Sequence, residues 1–264
     1  MGKLKKLKYI LKKMGSVLLA YSGGADSSFL LKAALDSLGD KVLAVTAVSE
    51  TYPNEELIHA RQLARKLGAR HMVIRTKELN DPKFRKNPVE RCYYCKKELF
   101  LKLRKVAVKQ GISFVIDAGN LSDKADFRPG NKAKNELGVR SPLSEAGFTK
   151  DDIRLMSKKS GLNTWNKPSL ACLASRIPYG SSIQPGILSR IDKAEQFLRK
   201  LGFIQVRVRH YNDLCRIEVM PGRIRSLIAK QKDVVDNLKK LGYNYVTVDL
   251  EGFRSGSMNE ILNR

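Results

Sequence analysis

The stretch SVLLAYSGGADSSFLLKAALDSLG, Ser16 to Gly39, runs from a short apolar segment through two adjacent glycines into a helical pattern. SVLLAYS reads as a buried strand and DSSFLLKAALDSLG as a helix, so the glycines lie where a strand hands over to a helix. Two glycines let the backbone turn sharply and present its N–H groups, and the helix start adds the positive end of its dipole. An anion is the natural occupant of such a turn. The alternative is a plain glycine turn with Asp26 and Ser27 capping the helix. Neither GxGxxG nor GxxxxGK[ST] is present, so the loop is not a dinucleotide fingerprint or a Walker A loop.

The same alternation continues outward. KVLAVTAVS is a strand, and NEELIHARQLARKLG carries Leu57, Ile58, Leu63, Ala64 and Leu67 at helical spacing. ARHMVIRT is a third strand, KKELFLKLRKVAVKQG repeats apolar positions at Leu99, Phe100, Leu103, Val106 and Ala107, and SFVIDAGN is a fourth strand. Such units predict an α/β fold with a doubly wound parallel sheet, whose ligands sit beyond the carboxyl ends of the strands. By the same topology Asp123, Asp126 and Arg128, which follow the fourth strand, belong near a bound nucleotide, with loop capping as their other reading. Between Trp165 and Pro185 the composition turns to Pro, Ser and Gly, with Trp165 expected in packing there. The expected organisation is a first domain over 1–165, a junction over 166–185 and a smaller α+β domain over 186–264. That last part reads helix, strand, strand, helix, strand, with its helices on one face of a sheet.

Fifty Lys+Arg against 26 Asp+Glu give a formal charge of +24, and the pI is near 10.0. Such a chain attracts polyanions at low salt, although lysines on helix faces serve solubility or heat tolerance equally well. The 42% hydrophobic content is ordinary, and no apolar run approaches the roughly 18 residues of a membrane span. The basic, amphipathic start MGKLKKLKYILKKMGS reads as a surface helix rather than a targeting signal. Four cysteines in so long a chain do not form a disulfide framework. A reducing cytoplasm with metal-binding or reactive thiols is expected.

Two of those thiols fall in RCYYCKKELF, Arg91 to Phe100, at the mouth of a helix. There the dipole, with Lys96 and Lys97, favours the thiolate of Cys92 and Cys95. A CxxC pair alone is a redox couple, half a zinc site or two small packed residues. Cys172, in the turn-rich SLACLASRIPYG, adds a third thiol in a segment where packing does not call for one. Three thiolates without a fourth ligand suit a four-iron four-sulfur cluster with one open iron better than a closed zinc site. Cys215 alternates with Ile217 and Val219 and so faces a core. In IQVRVRH, the period of two sets Ile204, Val206 and Val208 against Arg207 and Arg209. Arg216 and Glu218 on the next strand can share the arginines' polar face. Two adjacent guanidiniums suit a phosphate or carboxylate, and a solvated strand face is the other reading. His59, His71 and His210 are left as surface or packing residues.

The word SGGxDS, met at Ser22, Gly23, Gly24, Asp26 and Ser27, resembles the pyrophosphate loop (PP-loop) of the N-type ATP pyrophosphatases. That resemblance implies a fold of the PP-loop ATP pyrophosphatase type and a loop that holds the leaving pyrophosphate of ATP. Asp26 beside phosphates then calls for Mg²⁺ or a capping role. Beyond the loop, DAGNLSDKADFRPGNKAKNELGVRSPLSEAGFTKDDIR, WNKPSLACLASRIPYG, VRVRHYND and LEGFRSGSMNE resemble the LarE family of pyridinium-3,5-biscarboxylic acid mononucleotide sulfur transferases. The resemblance implies that ATP adenylates a carboxylate of a pyridinium mononucleotide. A sulfur nucleophile then displaces AMP, on the way to the nickel-pincer nucleotide cofactor. It also implies a homo-oligomer. One branch of the family gives up the sulfur of a single loop cysteine, and another holds a 4Fe-4S cluster on three. Cys92, Cys95 and Cys172 match the second branch. Carried over likewise are catalytic roles for Asp26, Cys172 and Arg176, and substrate contacts at Ser175, Arg176, Glu195, Arg207, Arg209 and Glu218. The identity of the sulfide donor is not implied. Two rival functions remain: a tRNA thiolase, which the positive charge would suit but for which no RNA-binding extension is seen, and a non-catalytic nucleotide-binding protein with a structural zinc site.

Overall fold

A computed structural model of the chain describes residues 2–125, 129–168 and 171–263. The chain divides into two compact units, Met1–Phe84 with Val89–Leu170, and Arg85–Pro88 with Ala171–Arg264.

The first unit is built from α1 (Lys3–Met14), β1 (Val17–Ala20), α2 (Ala25–Leu38), β2 (Val42–Val48), α3 (Asn54–Lys66), β3 (Arg70–Arg75), the single turn α4 (Pro82–Arg85), α5 (Arg91–Lys109), β4 (Phe114–Ile116), the short α6 (Gly130–Glu136) and α7 (Pro142–Glu145), and α8 (Lys150–Lys159). Its four strands are all parallel in the order β3-β2-β1-β4, with Val17 level with Val42 on one side and Phe114 on the other. Strands buried on both faces need continuous apolar runs, and VLLA and VLAVTAV supply them. Successive side chains point to opposite faces. Val17, Leu19, Val42, Ala44 and Ile116 pack with Leu7 and Leu11 of α1 and with Phe29, Leu30 and Leu31 of α2. Leu18, Leu43, Val45 and Val115 pack with Phe100, Leu103 and Ala107 of α5. Each large apolar side chain so enclosed contributes about 2 kcal/mol by leaving water. The doubly wound parallel sheet expected from the sequence is present. Among the described residues no helix is long and apolar enough to cross a membrane.

One detail of α3 differs from its periodicity. Its inward line is Glu56, Ala60 and Ala64, while Ile58 is 56% exposed. The small alanines let the helix lie close to the loop after β1, and that spacing rather than bulk fixes the inward face.

In the second unit α9 (Pro185–Lys200), β5 (Val206–Tyr211), β6 (Leu214–Val219), the short α10 (Ile224–Ile228), α11 (Gln231–Lys240) and β7 (Tyr245–Val248) form a three-stranded mixed sheet, order β5-β6-β7. β5 and β6 are antiparallel about a turn in which Asn212 takes φ 58°, and β6 and β7 are parallel. Val206, Val208, Cys215, Ile217 and Val219 face Ala194 and Leu198 of α9 and Val234 and Leu238 of α11. Ile204, expected to join that line, precedes the strand and is 66% exposed. The opposite face bears Arg207, Arg209, Arg216 and Glu218. The chain after β7 returns across the unit by a tight approach at Gly252, where φ is 71° and a Cβ would lie 2.6 Å from the Val219 carbonyl oxygen.

Candidate functional site

In the first unit the loop Ser22–Gly24 leaves the carboxyl end of β1 and opens α2. Strand order reverses at β1, with β2 on one side and β4 on the other, which is the switch point where open sheets bind ligands. Gly23 sits at φ 69°, and a Cβ there would lie 2.8 Å from the Ala60 Cβ, so only glycine fits against α3. Gly24 is the N-cap residue and makes no side-chain cap. The loop is braced instead by its two serines: Ser22 N–H donates to Ser27 Oγ at 3.3 Å, the hydroxyls lie 3.1 Å apart, and Ser27 Oγ donates to the Gly24 carbonyl at 3.2 Å. Tyr52 Oη adds a hydrogen bond to the Ser22 carbonyl at 2.9 Å. The first N–H groups of α2 have no intrahelical acceptors, as an anion cradle requires.

Asp26 does not cap the helix. Its Oδ2 accepts from Asn120 Nδ2 at 3.2 Å across the switch point, and Asn120 N–H donates to Asp123 Oδ2 at 3.0 Å. Asp26 Oδ1 and Asn120 Oδ1 are both buried and lack a hydrogen-bond partner among the described residues. Burial pushes the Asp26 carboxyl above its ordinary range, against the charges of Lys150 and Arg154 and with the help of Asp123. Asp126 and Arg128 lie outside the described residues.

Helices that cross between parallel strands run back along the sheet, so the N-terminus of α5 lies at the same carboxyl edge as the phosphate loop. Lys102 Nζ reaches the carbonyl of Arg75 at the end of β3. Glu98, one turn beyond Cys95, accepts from the Lys77 N–H at 2.8 Å just past the end of β3. Cys92 is exposed and Cys95 partly so, and all four cysteines are free thiols. Among the described residues no three His, Cys, Asp or Glu side chains are gathered so as to hold a metal ion. Cys172 belongs to the second unit and is exposed, whereas Cys215 is enclosed and burial pushes its thiol up to about 12. Asn87, which precedes Cys92 in the chain, donates to the carbonyls of Ile177 (3.2 Å) and Pro178 (2.7 Å), which follow Cys172.

The second unit holds a cluster of buried charge beneath the Cys172 segment. Arg176, fully enclosed, makes a two-pronged ion pair with Glu195 (Nε–Oε1 2.8 Å, Nη2–Oε2 2.9 Å). Its remaining nitrogen donates to the carbonyls of Ala171 (2.7 Å) and Cys172 (3.1 Å) and to Ser175 Oγ (2.9 Å). Arg209 repeats the arrangement with Glu218 (2.8 and 2.7 Å), and also donates to the Ser175 carbonyl and Ser257 Oγ, each at 2.8 Å. Arg207 lies between these pairs, donating to the Val206 carbonyl at 2.9 Å with its guanidinium 5.2 Å from the centre of the Phe253 ring. Burial, then the charge of Arg176, push Arg207 down to about 9 despite Glu195, so it stays charged at neutral pH but under repulsion. Burial alone would raise Glu195, yet the charge and hydrogen bonds of Arg176 hold it below its ordinary value. Arg199 and Arg216 also reach Glu195 (3.4 Å) and Glu218 (3.3 Å), and pair in turn with Asp192 and Asp249, so five guanidiniums stand against four carboxylates and leave the cluster a net cation, which favours an anionic ligand.

Of the residues singled out in sequence, Ser22, Gly23, Gly24, Asp26, Ser27 and Asp123 gather around one loop, and Ser175, Arg176, Glu195, Arg207, Arg209 and Glu218 around another. Asn120, Tyr52, Lys167 and Ser257 join them without having been singled out. Asn120 and Lys167 fall within DAGN and WNKPSL, but only folding reveals what they touch. Two histidines serve packing, His71 with Nε2 2.9 Å from Thr46 Oγ1 and His210 buried beside Tyr243, and His59 lies on the surface. Trp165 lies under the Lys158 ammonium, 4.7 Å from the ring centre.

No protein-family model matches the chain. It is 42% identical over 255 residues to the pyridinium-3,5-bisthiocarboxylic acid mononucleotide synthase of Lactiplantibacillus plantarum, a match covering 96% of this chain and 92% of that protein. To an uncharacterized protein of Synechocystis sp. it is 41% identical over 265 residues, 100% of this chain and 99% of the other. A weaker match, 29% over 191 residues, links 65% of the chain with 44% of the argininosuccinate synthase of Pyrococcus furiosus. With such identity over nearly its whole length, the chain belongs to the LarE family, that of the pyridinium-3,5-bisthiocarboxylic acid mononucleotide synthase.

Proposed function

We propose that the protein is an ATP-using sulfurtransferase. It adenylates a carboxylate of pyridinium-3,5-biscarboxylic acid mononucleotide and converts it to a thiocarboxylate, a step toward the nickel-pincer nucleotide cofactor. The observation that carries this reading is the 42% identity to the synthase across 96% of the chain. The match to argininosuccinate synthase supports the use of ATP.

In the first half-reaction a carboxylate oxygen of the substrate attacks the α-phosphorus of ATP, the bond from that phosphorus to the bridging oxygen breaks, and pyrophosphate leaves with the electron pair. Ser22, Gly23, Gly24 and Ser27 present N–H and O–H donors to the departing charge. Asp26 Oδ1 and Asn120 Oδ1, buried without partners, are hard acceptors that fit a Mg²⁺ ion carried by the nucleotide, with Asp123 bracing Asn120. In the second half-reaction a sulfur nucleophile adds to the acyl carbon, AMP departs, and the proton of the hydrosulfide goes to solvent. No general base is needed, because hydrosulfide is largely ionised at neutral pH.

The net positive cluster supplies the anion contacts for the mononucleotide: Arg207 and Arg209 for phosphate or carboxylate, with Ser175 and Glu218 holding Arg209 in place and Glu195 holding Arg176 and the start of β5. Arg176 acts by fixing the Cys172 segment, since its nitrogens are engaged with that segment and with Glu195. Three free thiols, two exposed and one partly so, fit the donor set of a 4Fe-4S cluster held by Cys92, Cys95 and Cys172. Such a cluster would supply the transferable sulfide. Assembly as a homo-oligomer and a reducing cytoplasm belong to the same proposal.

The test is anaerobic turnover with ATP, sulfide and the pyridinium dicarboxylate mononucleotide. Pyrophosphate release and a sulfur-containing nucleotide product are expected, and the absence of substrate-dependent pyrophosphate overturns the proposal. Iron, sulfide and zinc analysis of the native protein and of Cys92→Ala checks the cluster. Stoichiometric zinc without iron removes it, and a protein lighter by the elements of H₂S after turnover would make Cys172 a consumed donor instead.

A further inference from the structure

Lys167 is a residue to which the reading above gives no task, although it reaches the phosphate loop. Its Nζ lies 3.3 Å from the carbonyl oxygen of Gly23, the residue whose conformation forms the turn. It also lies 3.0 Å from Glu56 Oε1. Both side chains are largely enclosed, the lysine at 16% exposure and the glutamate at 7%. Glu56 stands in the first turn of α3, where the helix dipole favours a carboxylate, and the alanines beneath it bring that turn against the loop. The Lys167–Glu56 contact is one of charge, since Glu56 Oε1 has no hydrogen bond of regular geometry among the described residues. The ammonium is therefore held near the loop between two oxygens without being fixed to a single acceptor, and a lysine head with three rotatable donors can turn to an anion that arrives.

Charge supplies the reason for such an arrangement. The loop itself offers only N–H and O–H dipoles, yet departing pyrophosphate gains negative charge as the α-phosphorus bond breaks. A mobile cation whose resting partner is a nearby carboxylate can follow that charge. It need not be desolvated afresh at each turnover.

We propose that Lys167 is a pyrophosphate-binding residue, which exchanges Glu56 for the β- and γ-phosphate oxygens when nucleotide occupies the loop. The inference rests on the nucleotide reading of the loop and adds to it a specific cation and its resting counter-charge.

Calorimetric titration of the full-length protein with three probes, ATP, inorganic pyrophosphate and AMP, each with magnesium, tests this without sulfur chemistry. In Lys167→Met, affinity for ATP and pyrophosphate should fall about 10- to 100-fold, the loss typical of one charge-assisted contact. Affinity for AMP, which lacks the outer phosphates, should stay unchanged, and that result also certifies the fold. Lys167→Arg should recover most of the loss. Glu56→Gln separates binding from mere support: the freed lysine should hold pyrophosphate as tightly as before or more so, whereas a structural ion pair would lose affinity equally from either side. Equal pyrophosphate affinity in wild type and Lys167→Met, or loss of AMP in parallel with ATP, overturns the inference alone. A wild-type protein that binds neither ATP nor pyrophosphate overturns the nucleotide reading with it.

Discussion

The two candidate sites handle polarity in opposite ways. At the phosphate loop the protein leaves polar groups unanswered: the first N–H groups of α2 have no intrahelical partner, and Asp26 Oδ1 and Asn120 Oδ1 are buried without one. In the second unit Arg176, Glu195, Arg209 and Glu218 are matched nitrogen to oxygen before any ligand arrives. The first arrangement stores unmet bonding capacity for a ligand that comes and goes. The second stores geometry, holding a charged segment in place so that a net positive field stays fixed. It follows that changes at the loop should harm binding more than folding, and changes at the cluster should harm folding first.

The largest effect expected is at the cluster. Glu195→Leu removes the acceptor of the enclosed Arg176 and leaves a guanidinium without a counter-charge. Breaking a buried pair on one side costs about 3–5 kcal/mol. Urea unfolding should show a midpoint lowered accordingly, and the Arg176→Met, Glu195→Leu double variant should regain a good part of it. A double variant no better than the single one would mean that the pair is not the unit of stability supposed here.

Next in size is Gly23→Ala. A Cβ there would meet Ala60 at 2.8 Å and the residue would keep a positive φ. Strain of this kind costs about 1–3 kcal/mol, and the loop can relieve it by moving off α3. ATP affinity should therefore fall much further than stability. The reverse, a protein that melts early and still binds ATP normally, would break the contrast between the two sites.

These expectations also mark what a sequence can and cannot carry. The strand, turn and helix around Ser22–Ser27 are legible because strand propensity, glycine freedom and helix periodicity are local. Alternation placed Arg207 and Arg209 opposite Val206 and Val208, but it cannot say what covers the second face. The arginines are buried by a segment around Ser175 and by Ser257 from the distant end of the chain. The inward face of α3 eluded periodicity because it consists of Glu56 and two alanines, not its larger apolar residues. The approach of Lys167 to Gly23 joins positions far apart in the chain, and no local pattern encodes it.

The cap of α8 provides a reference that touches neither site, although Lys150 and Arg154 further along that helix act on Asp26 by their charge. Thr149 caps it, Asp152 completes the reciprocal cap, and Lys3 reaches the same carboxylate at 2.5 Å. Thr149→Ala should cost about 1 kcal/mol, the usual loss of a helix cap, with no change in nucleotide affinity. The hydrogen bond to Lys3, with those from Thr149, lowers the Asp152 pKa to about 2. The stability it lends is thus present above the ordinary 3.8 and lost as pH falls toward 2. A shift in ATP affinity in Thr149→Ala would mean that the loop is sensitive to general loosening, and the Gly23 result would lose its meaning.

The smallest change in stability, and one of opposite sign, belongs to Asp26. Burial raises its carboxyl above 3.8 in the folded protein. Protonation is then favoured by folding: the stability that the proton brings is full below 3.8 and disappears as pH rises through the raised value. At neutral pH the ionised group is a cost, so Asp26→Asn should leave the protein as stable or stabilise it by about 1 kcal/mol or less. Magnesium-dependent ATP binding should nevertheless be lost, because an amide oxygen is a weak substitute for a carboxylate beside a divalent cation. In the wild type the same binding should weaken on acidification at a pH above that of an ordinary aspartate, and the pH dependence should vanish in the variant. A group that destabilises the empty protein and is indispensable to the filled one is what unmet bonding capacity at the loop implies. Should Asp26→Asn instead destabilise the fold while ATP binding persists, the carboxylate would be a structural group like Glu195 and the contrast between the two sites would fail at its sharpest point.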